Sequence, residues 1–111
     1  MSQNMNRWNT FSLALQLGTI GTELQRAYKW KCVGEEKRFW EFAERALDYI
    51  NLTLIDKRWI LRTHELYRMK EESGLYLLGP MSDSSRVGLE KYFNAFADCA
   101  NRERVLKRIL P

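Results

Sequence analysis

The chain has 111 residues, of which 45% are apolar and 29% charged, and only two are proline. This composition excludes a disordered tail, and the length suits one domain, residues 1–111, that buries a core without metal or disulfide staples. The formal net charge of +4 permits an anionic partner without requiring one.

Targeting and ligand signals are absent from the sequence. The opening residues, MSQNMNRWNT, lack the apolar core of a secretory signal, and no apolar run reaches the ~20 residues of a membrane span. Cys32 and Cys99 show no metal-ligand spacing. We therefore expect a cytoplasmic protein with reduced cysteines and with no metal, small-molecule cofactor or membrane partner.

The first predicted helix covers about residues 9–33, and Gly34 follows it at a usual C-terminal cap position. Within it, Gly18 and Gly21 each cost about 1 kcal/mol of helix stability relative to alanine. We expect them to allow a close approach of a second helix, with a kink as the alternative. Gly74, in the third helix, is expected to make a similar tight contact.

The second predicted helix, about 35–55, has the clearest amphipathic pattern. Its apolar residues fall within one arc roughly 100° wide, as a buried helix face requires: Phe39, Ala43, Ala46, Leu47, Ile50 and Leu54.

A third helix is predicted at about 59–78, where Gly79-Pro80 ends it, and a fourth at about 86–110, capped by Ser84 or Ser85. The inner face of the fourth helix is flanked by residues that recur at heptad spacing: Tyr92, Cys99, Leu106 and Leu110. The short connections predict an all-α fold, an antiparallel four-helix bundle with up-down-up-down order.

Two helices carry apolar residues on the side turned away from the predicted core. These residues are Trp8, Phe11 and Leu15 of the first helix, and Leu52 and Ile55 of the second. Burial between identical subunits explains them economically, so we expect a homodimer or higher oligomer. A groove for a different protein would give the same pattern.

The end of the fourth helix is basic. It carries Arg102, Arg104, Lys107 and Arg108, and the last three gather on one side of the helix. They could contact phosphates of a nucleic acid, or simply complement the helix dipole. Lys29 and Lys31 would extend this basic patch if the corresponding helix ends meet.

The only histidine, His64, follows Arg58 after five intervening residues. This spacing resembles the arginine-then-histidine signature of the HEPN family of small helical bundles, although Trp59 stands where that family usually has a polar residue. The resemblance implies an RNA-directed protein, either a ribonuclease or a partner of a nucleotidyltransferase. In the ribonuclease, His64 would be the acid or base and Arg58 the charge stabiliser.

In size, charge and helix count the chain is also similar to the accessory variability proteins of diversity-generating retroelements and to intervening-sequence-encoded proteins. Those bundles bind nucleic acid as oligomers, and this resemblance of architecture assigns no site residue. The sequence therefore predicts a non-enzymatic, self-associating binding or adaptor protein. A HEPN-like RNA-directed protein and a basic nucleic-acid-binding bundle are the alternatives.

Overall fold

The computed structural model describes residues 7–110, and this part of the chain is helical and contains no strand. It measures 47 × 28 × 26 Å. A 3-10 helix, Lys57–Arg62, connects the second α-helix to the third. After Ser12 the α-helices are α1 (Leu13–Cys32), α2 (Glu36–Leu54), α3 (Thr63–Leu78) and α4 (Asp83–Ile109). The all-α prediction is confirmed, and none of the helices described could cross a membrane.

The first helix begins later than the sequence predicted. Ser12 caps α1, because its hydroxyl accepts a hydrogen bond from the Leu15 N–H at 3.2 Å. Before it the chain turns, and the Phe11 N–H donates to the Trp8 carbonyl at 3.0 Å. Trp8 and Phe11 therefore precede α1 instead of lying on its reverse side.

Two further helix starts differ from the prediction for the same reason, a side-chain cap. Ser82 caps α4 by accepting from the Ser85 N–H at 3.2 Å, so α4 starts three residues before the predicted position. Asp56 caps the 3-10 helix by accepting from the Arg58 N–H at 3.1 Å. The predicted third helix is thus divided into the 3-10 helix and α3.

Helix α1 is the centre of the packing, since it contacts both α2 and α4 extensively and α3 less. Leu17, Ile20, Leu24 and Ala27 of α1 are buried almost completely. The other helices cover them with buried apolar side chains: Phe39, Ala43, Ala46 and Ile50 of α2, Leu66, Met69 and Leu77 of α3, and Leu89 and Phe93 of α4.

The close approach predicted at the α1 glycines is confirmed against α4. A Cβ atom at Gly18 would lie 2.9 Å from Ala97 Cα, and one at Gly21 would overlap the Cβ of Phe93. The same expectation for Gly74 is wrong, because a Cβ atom there would meet nothing within 4 Å.

Candidate functional site

The last turns of α4 project beyond the packed part of the bundle. Along α4, Phe93 lies at Gly21 and Ala97 at Gly18, and Glu103 accepts a hydrogen bond from the Ser12 hydroxyl at 3.1 Å. Ser12 is the N-cap residue of α1 and contacts Glu103. The residues of α4 after Glu103 therefore continue past the start of α1. We call Arg102–Leu110 the α4 tip, and none of its residues is buried.

An aliphatic stripe runs along the α4 tip. Val105 is 50% exposed, Leu106 53% and Ile109 69%, and Leu110 follows at the end of the helix. At 100° per residue, the side chains of Val105, Leu106 and Ile109 lie within an arc of about 100°. The centre of this arc is on the side of α4 opposite Phe93. The stripe therefore faces away from the core of its own chain.

The cations of the tip lie on more than one surface. Arg104 and Lys107 line a groove of about 290 Å³ beside Phe11 and Leu15, at the start of α1. Arg102 lies instead beside Val105 and Leu106 of the aliphatic stripe. The tip cations, including Arg108, form no ion pair with any residue between 7 and 110.

No family model, curated protein or solved structure matches this chain.

The predicted subunit interface is wrong at Trp8 and Leu52, which are 3% and 8% exposed. The Trp8 ring stacks on Tyr49 with centroids 4.5 Å apart, and its Nε1–H donates to the Thr53 hydroxyl at 2.9 Å. Both side chains complete the core of their own chain, so they are not available to a second subunit.

The other three residues of that predicted interface are accessible to different degrees. Phe11 is half-buried, and its ring and that of Trp8 pack edge to face with their centroids 5.6 Å apart. Leu15 is 39% exposed in the groove beside the tip, and Ile55 is 62% exposed after α2. The structure does not join these residues to Trp8 and Leu52 in one exposed patch.

Arg58 ties the segment before α1 to the 3-10 helix. Its Nη2 donates to Asp56 Oδ2 at 2.7 Å and to the Phe11 carbonyl at 2.8 Å, and its Nε donates to Asp56 Oδ1 at 3.0 Å. These hydrogen bonds lower the pKa of the buried Asp56 carboxyl below its usual value. Gln16 completes the cluster, since its amide donates to Asp56 and accepts from the Trp59 indole N–H.

His64 lies at the start of α3, and its side chain is exposed. Within residues 7–110 it makes no side-chain hydrogen bond, whereas Arg58 makes four to Asp56 and Phe11. The same part of the chain contains no cluster of three histidine, cysteine or acidic residues arranged to hold a metal ion.

Lys29 and Lys31 do not extend the basic patch of the tip. They lie near the end of α1, where Tyr28 contacts Arg86 in the first turn of α4. Lys31 donates to the Leu77 carbonyl at 2.9 Å. The order of contacts along α1 thus places these lysines at the opposite end of the bundle from the tip.

The aliphatic stripe was not predicted from the sequence. Leu106 and Leu110 were expected beside the inner face of α4, and Val105 and Ile109 were not singled out. The sequence did contain a signal for the stripe. After Ala100 the apolar residues lie on the opposite side of the helical wheel, and the inner side is occupied by Arg104 and Lys107.

Proposed function

We propose that the protein is a non-enzymatic, self-associating binding module, and that its copies associate through the α4 tip. The observation that carries this proposal is the aliphatic stripe, whose side chains are at least half exposed on a helix end with no covering element among residues 7–110. A monomer gains nothing from holding these residues in water, and burial of such side chains drives association.

Ile60 and Leu61 of the 3-10 helix enlarge this apolar end, because they are 70% and 98% exposed. Their neighbours Trp59 and Arg62 contact Gln16 and Phe96, which places the 3-10 helix toward the end of the bundle that bears the tip. An interface limited to these few side chains would be small, and small interfaces are usually weak and transient, so we expect an association that depends on concentration.

We also propose that the four α-helices follow an up-down-up-down order. Contacts between α1 and α4 support it, because Ser12 bonds Glu103 while Gln25, later in α1, bonds Asn94, earlier in α4. Gln16 of α1 hydrogen-bonds Asp56, which follows α2, while Glu23, later in α1, pairs with Arg45, earlier in α2. These two contacts support an antiparallel α1 and α2.

Sedimentation equilibrium up to about 1 mM tests the self-association. The wild type should associate, and the double variant Leu106→Glu/Ile109→Glu should remain monomeric. Val33→Glu/Leu78→Glu is the matched control, since these side chains are 63% and 67% exposed outside the tip. A monomeric wild type, or equal loss of association in both variants, would refute the proposal.

A second candidate function is sequence-independent binding of nucleic acid, favoured by the unpaired tip cations. Each cation that meets a phosphate releases counterions and makes the affinity depend on salt. In fluorescence anisotropy with short RNA and DNA duplexes, Arg104→Gln/Lys107→Gln should reduce the logarithmic salt slope by about 2. Lys37→Gln/Lys91→Gln, which removes two exposed lysines outside the tip, should leave the slope unchanged. Affinity without salt dependence would exclude this candidate.

A further inference from the structure

A second groove, of about 380 Å³, lies at the end of the bundle opposite the α4 tip. Its walls come from the last turn of α1, the end of α3 and the first turn of α4. They include Tyr28, Lys31, Cys32, Tyr76, Met81 and Arg86. None of these residues takes part in the self-association proposed above, so this groove is independent of it.

Arg86 has an unsatisfied donor at this groove. Its Nη1 donates to the two carboxylate oxygens of Glu90 at 3.3 and 3.4 Å, and its guanidinium lies 5.1 Å from the centre of the Tyr28 ring. The Nε atom is buried and has no hydrogen-bond partner, which is true of no other buried side-chain nitrogen or oxygen in residues 7–110. A buried donor left unpaired destabilises the folded chain.

Asp83, one turn earlier on α4, does not satisfy that donor. Asp83 Oδ1 lies 4.0 Å from Arg86 Nε, beyond hydrogen-bond distance, and its side chain is 96% exposed. Asp83 is therefore free to turn aside for a ligand. Glu90 is already shared, because it also accepts the Tyr76 hydroxyl at 2.7 Å.

Lys31 supplies a second cation to the groove. Its ammonium donates one hydrogen bond to the Leu77 carbonyl at 2.9 Å, and an ammonium carries three N–H donors. Lys31 forms no ion pair with any residue that the structure describes. Two cations with spare donors thus converge on a concave surface with apolar walls at Leu75 and Met81.

We infer that this groove binds a small oxyanion, a phosphate or carboxylate group, between Arg86 and Lys31. An anionic oxygen would accept from the exposed part of the Arg86 guanidinium, whose side chain is 26% exposed, and from a Lys31 N–H. Charge-assisted hydrogen bonds of this kind are the stronger ones. The apolar walls would contact the body of a small molecule that carries the oxyanion.

Cys32 provides a readout inside the groove, and Cys99 provides an internal control. Both thiols are exposed, but Cys99 lies on α4 one turn before Glu103, at the other end of the bundle. Alkylation by iodoacetamide, an uncharged reagent, is followed at each cysteine by mass spectrometry. Inorganic phosphate and acetate are each compared with chloride at constant ionic strength.

At a phosphate or acetate concentration twice its dissociation constant, alkylation of Cys32 should slow about threefold while that of Cys99 stays constant. Protection by one anion alone supports the inference and identifies which oxyanion is accepted. If neither anion protects Cys32, or if both cysteines slow equally, the inference is overturned.

Arg86→Gln should abolish the protection, and Arg26→Gln should preserve it. Arg26 is a suitable control because it is exposed and pairs with Glu23, outside the groove. Circular dichroism checks that each variant folds. If Arg86→Gln does not fold, Lys31→Gln takes its place, and protection that persists in the folded groove variant counts against the site.

Discussion

Alanine at Gly21 tests the packing that positions the α4 tip. The added Cβ atom would overlap Phe93 Cβ, which the α4 backbone fixes in place, and Phe93 is only 2% exposed. Overpacking a core costs about 1–3 kcal/mol, and the rigid neighbour favours the upper end of that range. Alanine restores about 1 kcal/mol of helix propensity. We therefore expect Gly21→Ala to lower the free energy of unfolding by about 2 kcal/mol.

The same substitution at Gly74 and Gly88 provides the matched control. Both lie inside helices, and an added Cβ atom would meet nothing within 4 Å. These variants gain helix propensity without a clash, so the free energy of unfolding should rise by up to about 1 kcal/mol. Urea denaturation followed by circular dichroism measures all three variants. If Gly21→Ala were stabilised as Gly74→Ala is, α1 and α4 could not pack as described.

Three other substitutions test individual side chains. Trp8→Ala should cost about 3–5 kcal/mol of unfolding free energy, against less than about 1 kcal/mol for Trp40→Ala, because Trp8 is 3% exposed and Trp40 42%. Because folding lowers the pKa of Asp56, its carboxylate contributes to the free energy of unfolding. This contribution is complete above the unfolded pKa of 3.8 and is lost as the pH falls through the lower pKa of the folded state. The stability difference between wild type and Asp56→Asn should accordingly shrink in urea titrations below pH 4. Arg58→Ala should destabilise by about 1–3 kcal/mol and His64→Ala by less than about 0.5 kcal/mol. If labelled RNA were cleaved by the wild type but not by His64→Ala, the ribonuclease reading would replace the non-enzymatic proposal.

The sequence predicted the helices well where one periodic pattern dominated. The apolar arc of α2 needs only its own spacing, and its predicted range, 35–55, differs by one residue at each end from the observed Glu36–Leu54. The glycine contact of α1 was also predictable, since two glycines in one helix need a structural reason. Both inferences use information local to one helix.

The predictions that depended on the path of the chain between helices were wrong. Trp8 was assigned to the reverse side of the first helix because nothing in its pattern marks the turn before Ser12. The buried Gln16 explains that turn, since its amide donates to the Trp8 carbonyl at 2.9 Å and to Asp56 at 3.2 Å. This cluster joins residues that are about forty positions apart in sequence, which periodicity does not detect.

The candidate sites were predictable only as lists of residues. The cations of the α4 tip were found because they lie within seven residues, 102–108. Arg104 and Lys107 line one groove and Arg102 lies on another surface, and this separation depends on where α1 begins. The Arg86 groove escaped detection because it is formed by the ends of three helices. Its unpaired Nε atom becomes visible only after packing has buried it.

The position of Trp8 also changes what self-association can do for this protein. Because Trp8 and Leu52 are buried inside their own chain, the core needs no second subunit, unlike that of an obligate dimer. Folding and association should then be separable. Leu106→Glu/Ile109→Glu should lose self-association and still unfold with the wild-type free energy, within about 0.5 kcal/mol, when both are measured at concentrations where the wild type is monomeric. The wild-type melting temperature should rise only where sedimentation detects the associated form. A tip variant that is unfolded at every concentration would show instead that the α4 tip stabilises the fold of the single chain, whether or not copies of the chain associate.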